Sequence, residues 1–224
     1  FGTAGLRGPI SPGPSGMNRA VVSRTAAAIA SFMKENNLTT VVIGRDARHR
    51  SADFAKDSAE IFAGAGIKTY LFSQEIPTPV LAFSVNKLNA NVGIMVTASH
   101  NPATDNGYKV YLGASIGSVQ YRGSQIISPI DKEISDLIMK VELAPTRSSN
   151  YEIVKEEIIS DYILATAKLA TTPNNLKIVY TALHGVGMKT LVSVFEKAKF
   201  SKPVLVSEQA LPDPNFPTTP FPNP

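Results

Sequence analysis

The first part of the chain alternates between helix-like and strand-like spacing of its apolar residues. A helix with one buried face is indicated by Val22, Ala26, Ile29 and Met33, and the β-branched run at 40–43 then reads as a buried strand. The alternation continues with helices from Ser51, a suitable capping residue, to about residue 65 and over 80–88, and with strands over 69–72 and 92–96. Because helices of this length connect parallel strands, the pattern predicts an α/β fold with a mixed, largely parallel sheet and helices on both faces.

A polar stretch interrupted by proline, residues 142–150, predicts a domain boundary. Before it, residues 107–112 alternate like one more strand, and Ser128-Pro129 has the residues of a helix start. After it, the pattern predicts a helical region around 151–170, a strand over 177–180, a helix over 188–199 and a strand over 204–206. We therefore expect one α/β domain over residues 1–145 and a second, similar but incomplete α/β domain over residues 151–224.

Charge and composition narrow the classes of function. The 224 residues include 22 basic and 18 acidic side chains that are interspersed, which suits small anionic substrates better than nucleic acid. Cysteine is absent, so disulfides, zinc-thiolate sites and thiol nucleophiles are excluded. The chain has neither an apolar run of membrane-spanning length nor the pattern of a signal peptide at its start, and we expect a soluble, cytoplasmic protein without membrane contacts.

The densest group of reactive side chains lies in 97–109, directly after a predicted strand. It contains a hydroxyl, an imidazole, two amides and an amine, from Ser99, His100, Asn101, Asn106 and Lys109. In open α/β sheets ligands bind beyond the carboxyl ends of strands, so this group suggests a nucleophile among residues that move protons and bind phosphate. The alternative is a polar turn, because Asn-Pro and Asn-Gly are strong turn formers and Ser99 could merely cap a helix.

Two further segments could bind an anion. Residues 1–8 combine three glycines with Arg7, so that backbone amides and a guanidinium can approach the same ligand; the alternative is a flexible terminus. Residues 44–48 place Arg45 and Arg48 directly after a strand, where a solvated ion pair with Asp46 is the alternative. A serine-hydrolase elbow is excluded because residues 97 and 101 are not glycine, and a nucleotide phosphate loop is excluded because Met188 precedes Lys189.

Four segments together resemble one family. Residues 1–8, 44–48, 97–111 and 181–187 occur in the order seen in α-D-phosphohexomutases, the phosphoglucomutase and phosphomannomutase enzymes. The resemblance implies that Ser99 is the phosphoserine that donates to the sugar and is regenerated from a bisphosphorylated intermediate. It further implies catalytic roles for His100, Lys109 and Arg7, with either His100 or Lys109 as the base, and a structural role for His184. Binding of substrate or phosphate is expected of Thr3, Gly5, Arg45, Asn101 and Asn106.

The same resemblance implies a Mg²⁺ cofactor and a phosphorylated sugar as the partner. Ser99 would be a metal ligand through its phosphate, and the family's carboxylate loop, Asp-x-Asp-Gly/Ala-Asp-Arg, is expected beyond Pro224. The chain is therefore expected to be a fragment that does not turn over substrate by itself, in a monomer or weak homo-oligomer. Interconversion of hexose 1-phosphate and hexose 6-phosphate, with glucose or mannose as the sugar, is the expected reaction. The alternatives are a phosphopentomutase and a non-catalytic module that binds phosphosugars.

Overall fold

A computed structural model describes residues 2, 5–141, 144–170 and 176–221. The larger part of the chain forms five helices and nine strands among these residues. In chain order they are β1 (Leu6–Pro9), α1 (Arg19–Glu35), β2 (Thr40–Arg45), α2 (Ser51–Gly64), β3 (Lys68–Leu71), α3 (Thr78–Lys87), β4 (Val92–Val96), β5 (Asp105–Leu112), β6 (Ser115–Ile116), β7 (Val119–Gln120), β8 (Ser124–Gln125), α4 (Ile130–Ile138), β9 (Glu152–Ile153) and α5 (Glu157–Ala167). They are followed by β10 (Val179–Tyr180), α6 (Met188–Lys197) and β11 (Val204–Leu205).

The predicted mixed sheet is confirmed. The strands of the described residues are ordered β1-β5-β4-β2-β3-β9, and β8 also pairs with β5. Strands β4, β2, β3 and β9 run parallel, whereas β5 pairs antiparallel with β4, β1 and β8. The carboxyl ends of β2 and β4 therefore meet at one edge of the sheet, and the loop after β4 leads directly into the antiparallel β5.

Helices cover both faces of this sheet, as the apolar pattern predicts. Along β2, Val41 and Ile43 face a core formed with α1, α2 and α4, whereas Val42 faces a second core formed with α3 and α5. All three residues are fully buried. Burying both faces explains why β2 and β4 read as continuous apolar runs instead of alternating ones.

The predicted helical region at 151–170 is wrong at its start. Residues 152–153 form β9, which pairs in parallel with β3, and the Val154 amide donates to the Leu71 carbonyl at 3.0 Å. The side chain of Val154 is buried in the second core, so an extended backbone satisfies both its hydrogen bond and its apolar side chain. The helix α5 then begins at Glu157 and packs on α3, with Phe83 and Tyr162 in an edge-on ring contact.

The expected capping role of Ser51 is also wrong. The residue before α2, Arg50, has a left-handed backbone, and the N-terminus of α2 has no side-chain cap. The Ser51 hydroxyl instead donates to Asp46 Oδ1 at 2.6 Å. This hydrogen bond joins the first turn of α2 to the loop after β2.

The second unit, which contains β10, α6 and β11, is smaller than the first among the described residues. Strands β10 and β11 pair in parallel, and α6 packs against α5. Among the described helices none is long and apolar enough to cross a lipid bilayer.

Candidate active site

The loop after β4 opens into a cleft of about 330 Å³ between the two units. Backbone hydrogen bonding fixes the edge from which it starts, because the Asp46 amide donates to the Val96 carbonyl at 3.0 Å. The cleft lies beyond the carboxyl ends of β2 and β4, the position where open α/β sheets bind ligands. Its lining includes Asp46, Met95, Thr97, Ser99 and His100 from the first unit and Ala182, Leu183, Val186 and Phe216 from the second.

Ser99 occupies an exposed position on this loop with a left-handed backbone, φ 59°. Its amide donates to the Thr97 hydroxyl at 3.0 Å, and the Asn101 amide donates to the Ala98 carbonyl at 3.1 Å. These two bonds fold the chain into a tight turn with Ser99 at its apex. Left-handed backbone is uncommon for residues other than glycine and is found frequently at functional sites. Within the described residues the Ser99 hydroxyl makes no hydrogen bond, so it is available for chemistry.

Lys109 lies on β5, where it is paired with Met95 of β4, a residue that lines the cleft. Burial lowers the pKa of the Lys109 ammonium, the neighbouring Arg7 lowers it further, and Asp46 partly opposes both effects. Arg7 reaches the serine loop through its hydrogen bond to Asn101, whereas Lys109 is fixed by its pairing with Met95 in the sheet. A lysine with a lowered pKa is more easily deprotonated near neutral pH and can act as a base.

Arg7 is exposed on β1 and donates to Asn101 Oδ1 at 3.1 Å. Asn101 Nδ2 donates in turn to Asp105 Oδ2 at 2.8 Å. The guanidinium is therefore held beside the serine loop by a series of side-chain hydrogen bonds that starts at Asp105. Its remaining donors are suited to bind an anion beside the serine loop.

Gly5 allows β1 to lie close to β5. Its φ is 74°, and a Cβ atom at this position would collide with the carbonyl oxygen of Tyr108. This close approach places Arg7, two residues later, beside Gly107. Thr3, the other candidate of this segment, lies outside the described residues.

Two predicted ligand-binding residues are not free at the cleft. Arg45 donates to Glu75 Oε1 at 2.8 Å, so its charge is paired. Asn106 is fully buried, and its Nδ2 donates to the His49 carbonyl and to the Ser51 hydroxyl at 2.9 and 3.0 Å. In this arrangement Asn106 joins the loop after β2 to β5 and does not reach the cleft. His100, by contrast, is exposed at the cleft beside Ser99.

A second loop with a similar turn faces the serine loop across the cleft, although His184 also has a left-handed backbone and His100 does not. The Leu183 amide donates to the Thr181 hydroxyl at 2.9 Å, just as the Ser99 amide donates to the Thr97 hydroxyl. Leu183 also has a left-handed backbone, with φ 48°. The signal in the sequence is the shared pattern Thr-Ala-x-His at 97–100 and 181–184, which the sequence analysis did not use. His184 is buried, and its Nε2 lies 2.8 Å from the Thr218 hydroxyl, which fits the expected structural role.

The residues present do not form a metal site. Among the described residues, no group of three or more His, Asp or Glu side chains lies close enough together to hold a cation. A Mg²⁺ ion prefers several oxygen ligands, including carboxylates, in octahedral geometry. Because the carboxylate ligands are expected beyond Pro224, the described residues alone do not hold the ion, and Mg²⁺ stays a prediction.

Comparison with known proteins gives two family matches. The model described as "Phosphoglucomutase/phosphomannomutase, alpha/beta/alpha domain I" matches residues 1–144. The model for domain II of the same family matches residues 159–224.

Individual relatives carry several substrate names. A Haemophilus influenzae protein named "Probable phosphomannomutase" is 46% identical over 215 residues, which are 93% of this chain and 43% of that protein. Human phosphopentomutase is 37% identical over 248 residues, covering 100% of this chain and 39% of its own length. The crystal structure of a Thermus thermophilus protein assigned as a phosphomannomutase matches with a TM-score of 0.80 and 26% identity, covering 97% of this chain and 47% of that one. The chain thus spans less than half the length of these relatives.

Proposed function

The chain belongs to the phosphoglucomutase/phosphomannomutase family, and we propose that it is the part of a phosphosugar mutase that carries the phosphoryl donor, phosphorylated Ser99. The supporting observation is the turn at Ser99, which presents an exposed hydroxyl without a partner among the described residues to a cleft between two α/β units. Residues 1–145 would form the donor domain, with β9 added to its sheet, and residues 182–216 would supply the opposite wall of the cleft.

The proposed reaction consists of two phosphoryl transfers. In the first, the bond between Ser99 Oγ and phosphorus breaks, a hydroxyl oxygen of the sugar phosphate forms the new bond to phosphorus, and its proton passes to a base. The Ser99 oxygen released in this step takes up a proton. In the second transfer, the bond between phosphorus and the sugar oxygen at the other position breaks, Ser99 Oγ gives up its proton and forms the new bond to phosphorus, and the released sugar oxygen takes up a proton. Such transfers depend mainly on alignment and on neutralising charge on the transferring oxygens. Arg7 supplies positive charge at the cleft.

Lys109 and His100 are both candidates for the base. Burial and Arg7 both lower the pKa of the Lys109 ammonium, so a larger fraction is neutral near neutral pH than for an exposed lysine. His100 lies on the exposed side of the turn, where it can contact the sugar or the phosphate. The two roles can be separated, because loss of the base lowers kcat, whereas loss of a ground-state contact raises KM.

Glucose and mannose phosphates are the proposed substrates, as in the sequence analysis. A pentose phosphate is a second candidate, favoured by the 37% identity to human phosphopentomutase over the whole chain. Turnover of glucose 1-phosphate, mannose 1-phosphate and ribose 1-phosphate by the full-length protein, compared as kcat/KM, decides among them.

The test of the proposed function is to map phosphate in the purified full-length protein by mass spectrometry and to compare two variants. Ser99→Ala removes the acceptor oxygen and should abolish both the phosphate and mutase turnover. Thr104→Ala is the matched control, because it removes an exposed hydroxyl from the same loop that bonds only to Asp105 among the described residues. Wild-type turnover by Ser99→Ala, or phosphate mapped to another residue in its place, would refute the proposal.

A further inference from the structure

One buried guanidinium holds the backbone of the serine loop. Arg48 is 5% exposed. Its Nη1 atom donates to the carbonyls of Pro102 and Asp105 at 2.7 and 3.2 Å, and its Nη2 atom donates to those of Ser99 and Asn101 at 3.1 and 2.6 Å. All four acceptors belong to the segment between β4 and the first residue of β5. Both terminal nitrogens of the side chain are thus spent on this one loop.

The remaining charge of Arg48 is balanced locally. Its Nε atom lies 3.4 Å from Asp46 Oδ2. Burial lowers the pKa of the guanidinium, and the carboxylates of Asp46 and Asp105 oppose this effect. Asp46 also accepts a hydrogen bond from the Arg48 backbone amide at 2.9 Å. Arg48 is therefore bound to Asp46 through both its backbone and its side chain.

The second unit covers the exposed face of the guanidinium. The ring of Phe216 stacks over Arg48, with its centroid 4.8 Å from Cζ, and Phe216 is 7% exposed. The neighbouring Asn215 Oδ1 lies 2.8 Å from His49 Nε2, and the Asp213 amide donates to the His184 carbonyl at 3.0 Å. The segment 213–216 therefore connects the second loop of the cleft to Arg48.

We propose that Arg48 is a positioning residue that fixes Ser99 by binding four carbonyls of its loop, and that Phe216 keeps the guanidinium in place. This inference rests on the proposed function, because it assigns Arg48 a role in that reaction. A planar guanidinium can donate to acceptors on both sides of its fork, whereas the ammonium of lysine is a point donor with three hydrogens. Lysine at this position would keep the charge but could not reach all four carbonyls.

The consequence for the reaction follows from alignment. Ser99 has a left-handed backbone, and its carbonyl is one of the four that Arg48 binds. With fewer bonds the loop can relax, and Ser99 Oγ moves relative to the cleft. A misplacement of about 1 Å can cost roughly 100-fold in rate. Because the loop backbone contributes alignment, the loss should appear in kcat more than in KM.

The test uses the full-length protein with Arg48→Lys and the matched control Arg50→Lys. Arg50 is two residues away, and its side chain is 60% exposed and pairs with Asp53. Turnover is expressed per folded, Ser99-phosphorylated molecule, and hydrogen exchange is followed in the peptide 97–106. We expect Arg48→Lys to lower kcat roughly 10- to 100-fold with KM within about twofold, and to speed exchange in the peptide, while Arg50→Lys changes neither. Wild-type kcat and exchange in Arg48→Lys would overturn the proposal, as would an equal change in Arg50→Lys.

A second variant keeps the proposal testable if Arg48→Lys does not fold. Phe216→Leu keeps the arginine at position 48 but removes the ring that covers its guanidinium. We expect a severalfold loss of kcat and faster exchange in 97–106. Unchanged kcat and exchange in Phe216→Leu would overturn the proposal. Hydrogen exchange does not depend on turnover, so it tests whether Arg48 holds the loop even in an inactive protein. Absence of mutase activity in the wild-type protein would refute the proposed function and leave the exchange result for Arg48 unaffected.

Discussion

Replacing Ser99 by glycine should abolish turnover and at the same time stabilise the folded chain. Ser99 has φ 59°, and this left-handed backbone costs a residue with a Cβ atom roughly 1–2 kcal/mol. Glycine adopts it freely but loses more conformational entropy on folding, about 0.5–1 kcal/mol. Because the Ser99 hydroxyl makes no hydrogen bond among the described residues, no further loss is expected. The free energy of unfolding should therefore rise by about 0.5–1 kcal/mol in Ser99→Gly.

Alanine separates the loss of the hydroxyl from the relief of strain. Ser99→Ala keeps the Cβ atom and its strain, so its free energy of unfolding should stay within about 0.5 kcal/mol of the parent chain. Ser115→Gly is the control at an exposed position of β6 without a left-handed backbone, and it should lower the free energy of unfolding by about 0.5–1 kcal/mol.

The assay is urea unfolding of the unphosphorylated 224-residue chain, followed by far-ultraviolet circular dichroism. The dependence of the unfolding free energy on urea concentration is compared among the variants. If Ser99→Gly is no more stable than Ser99→Ala, the left-handed backbone at Ser99 does not destabilise the folded chain. A gain in both variants would also contradict the reasoning, because it would locate the cost in the hydroxyl.

Three further predictions concern charged residues. Lys109→Ala should lower kcat of the full-length protein roughly 100- to 10,000-fold, and a change confined to KM would exclude it as the base. Arg7→Ala removes one cause of the lowered pKa of Lys109, so the rising limb of the kcat–pH profile should move to higher pH. If that limb does not move, Lys109 near Arg7 is not the group whose deprotonation the limb reports. Burial raises the pKa of Asp57, but hydrogen bonds from Arg19 and Arg147 outweigh it and lower the pKa. Its stabilising contribution is thus present above the unfolded-state pKa and is lost as pH falls through the folded-state pKa. Urea midpoints should fall on acidification more steeply for the parent chain than for Asp57→Asn, and parallel curves would contradict this assignment.

Local pattern was sufficient to predict the sheet, whereas the role of Ser99 as the nucleophile stays a prediction. The apolar runs of β2 and β4 record burial on both faces, and the residues after them lie at one edge because parallel strands end together. The register of β4 and β5, two strands adjacent in the chain, places Lys109 opposite Met95, which lies four positions before Ser99. The start of α5 was mispredicted, because Val154 can satisfy either a helix or a strand until β3 is placed beside it.

The roles of the polar residues could not be predicted, because their partners lie far away in the chain. Arg45 pairs with Glu75, 30 positions later, and Asn106 binds the backbone of His49, 57 positions earlier. Arg48 follows the same rule, since its four carbonyl acceptors lie 51 to 57 positions later. Local sequence shows that such side chains can bind an anion, but tertiary structure decides whether they are already paired.

The second loop of the cleft has a similar strained turn without a serine at its apex. Leu183 adopts the same left-handed backbone as Ser99 and the same hydrogen bond to a threonine hydroxyl, although it has no nucleophilic group. The turn therefore does not require a nucleophile at its apex, although the two loops differ at the next residue, where His184 is left-handed and His100 is not. What differs between the loops is the side chain at the apex and its surroundings. One apex carries a hydroxyl and is followed by the exposed His100, whereas the other places an aliphatic side chain on the opposite wall, so a ligand in the cleft would meet polar groups on the first side and an apolar contact on the second.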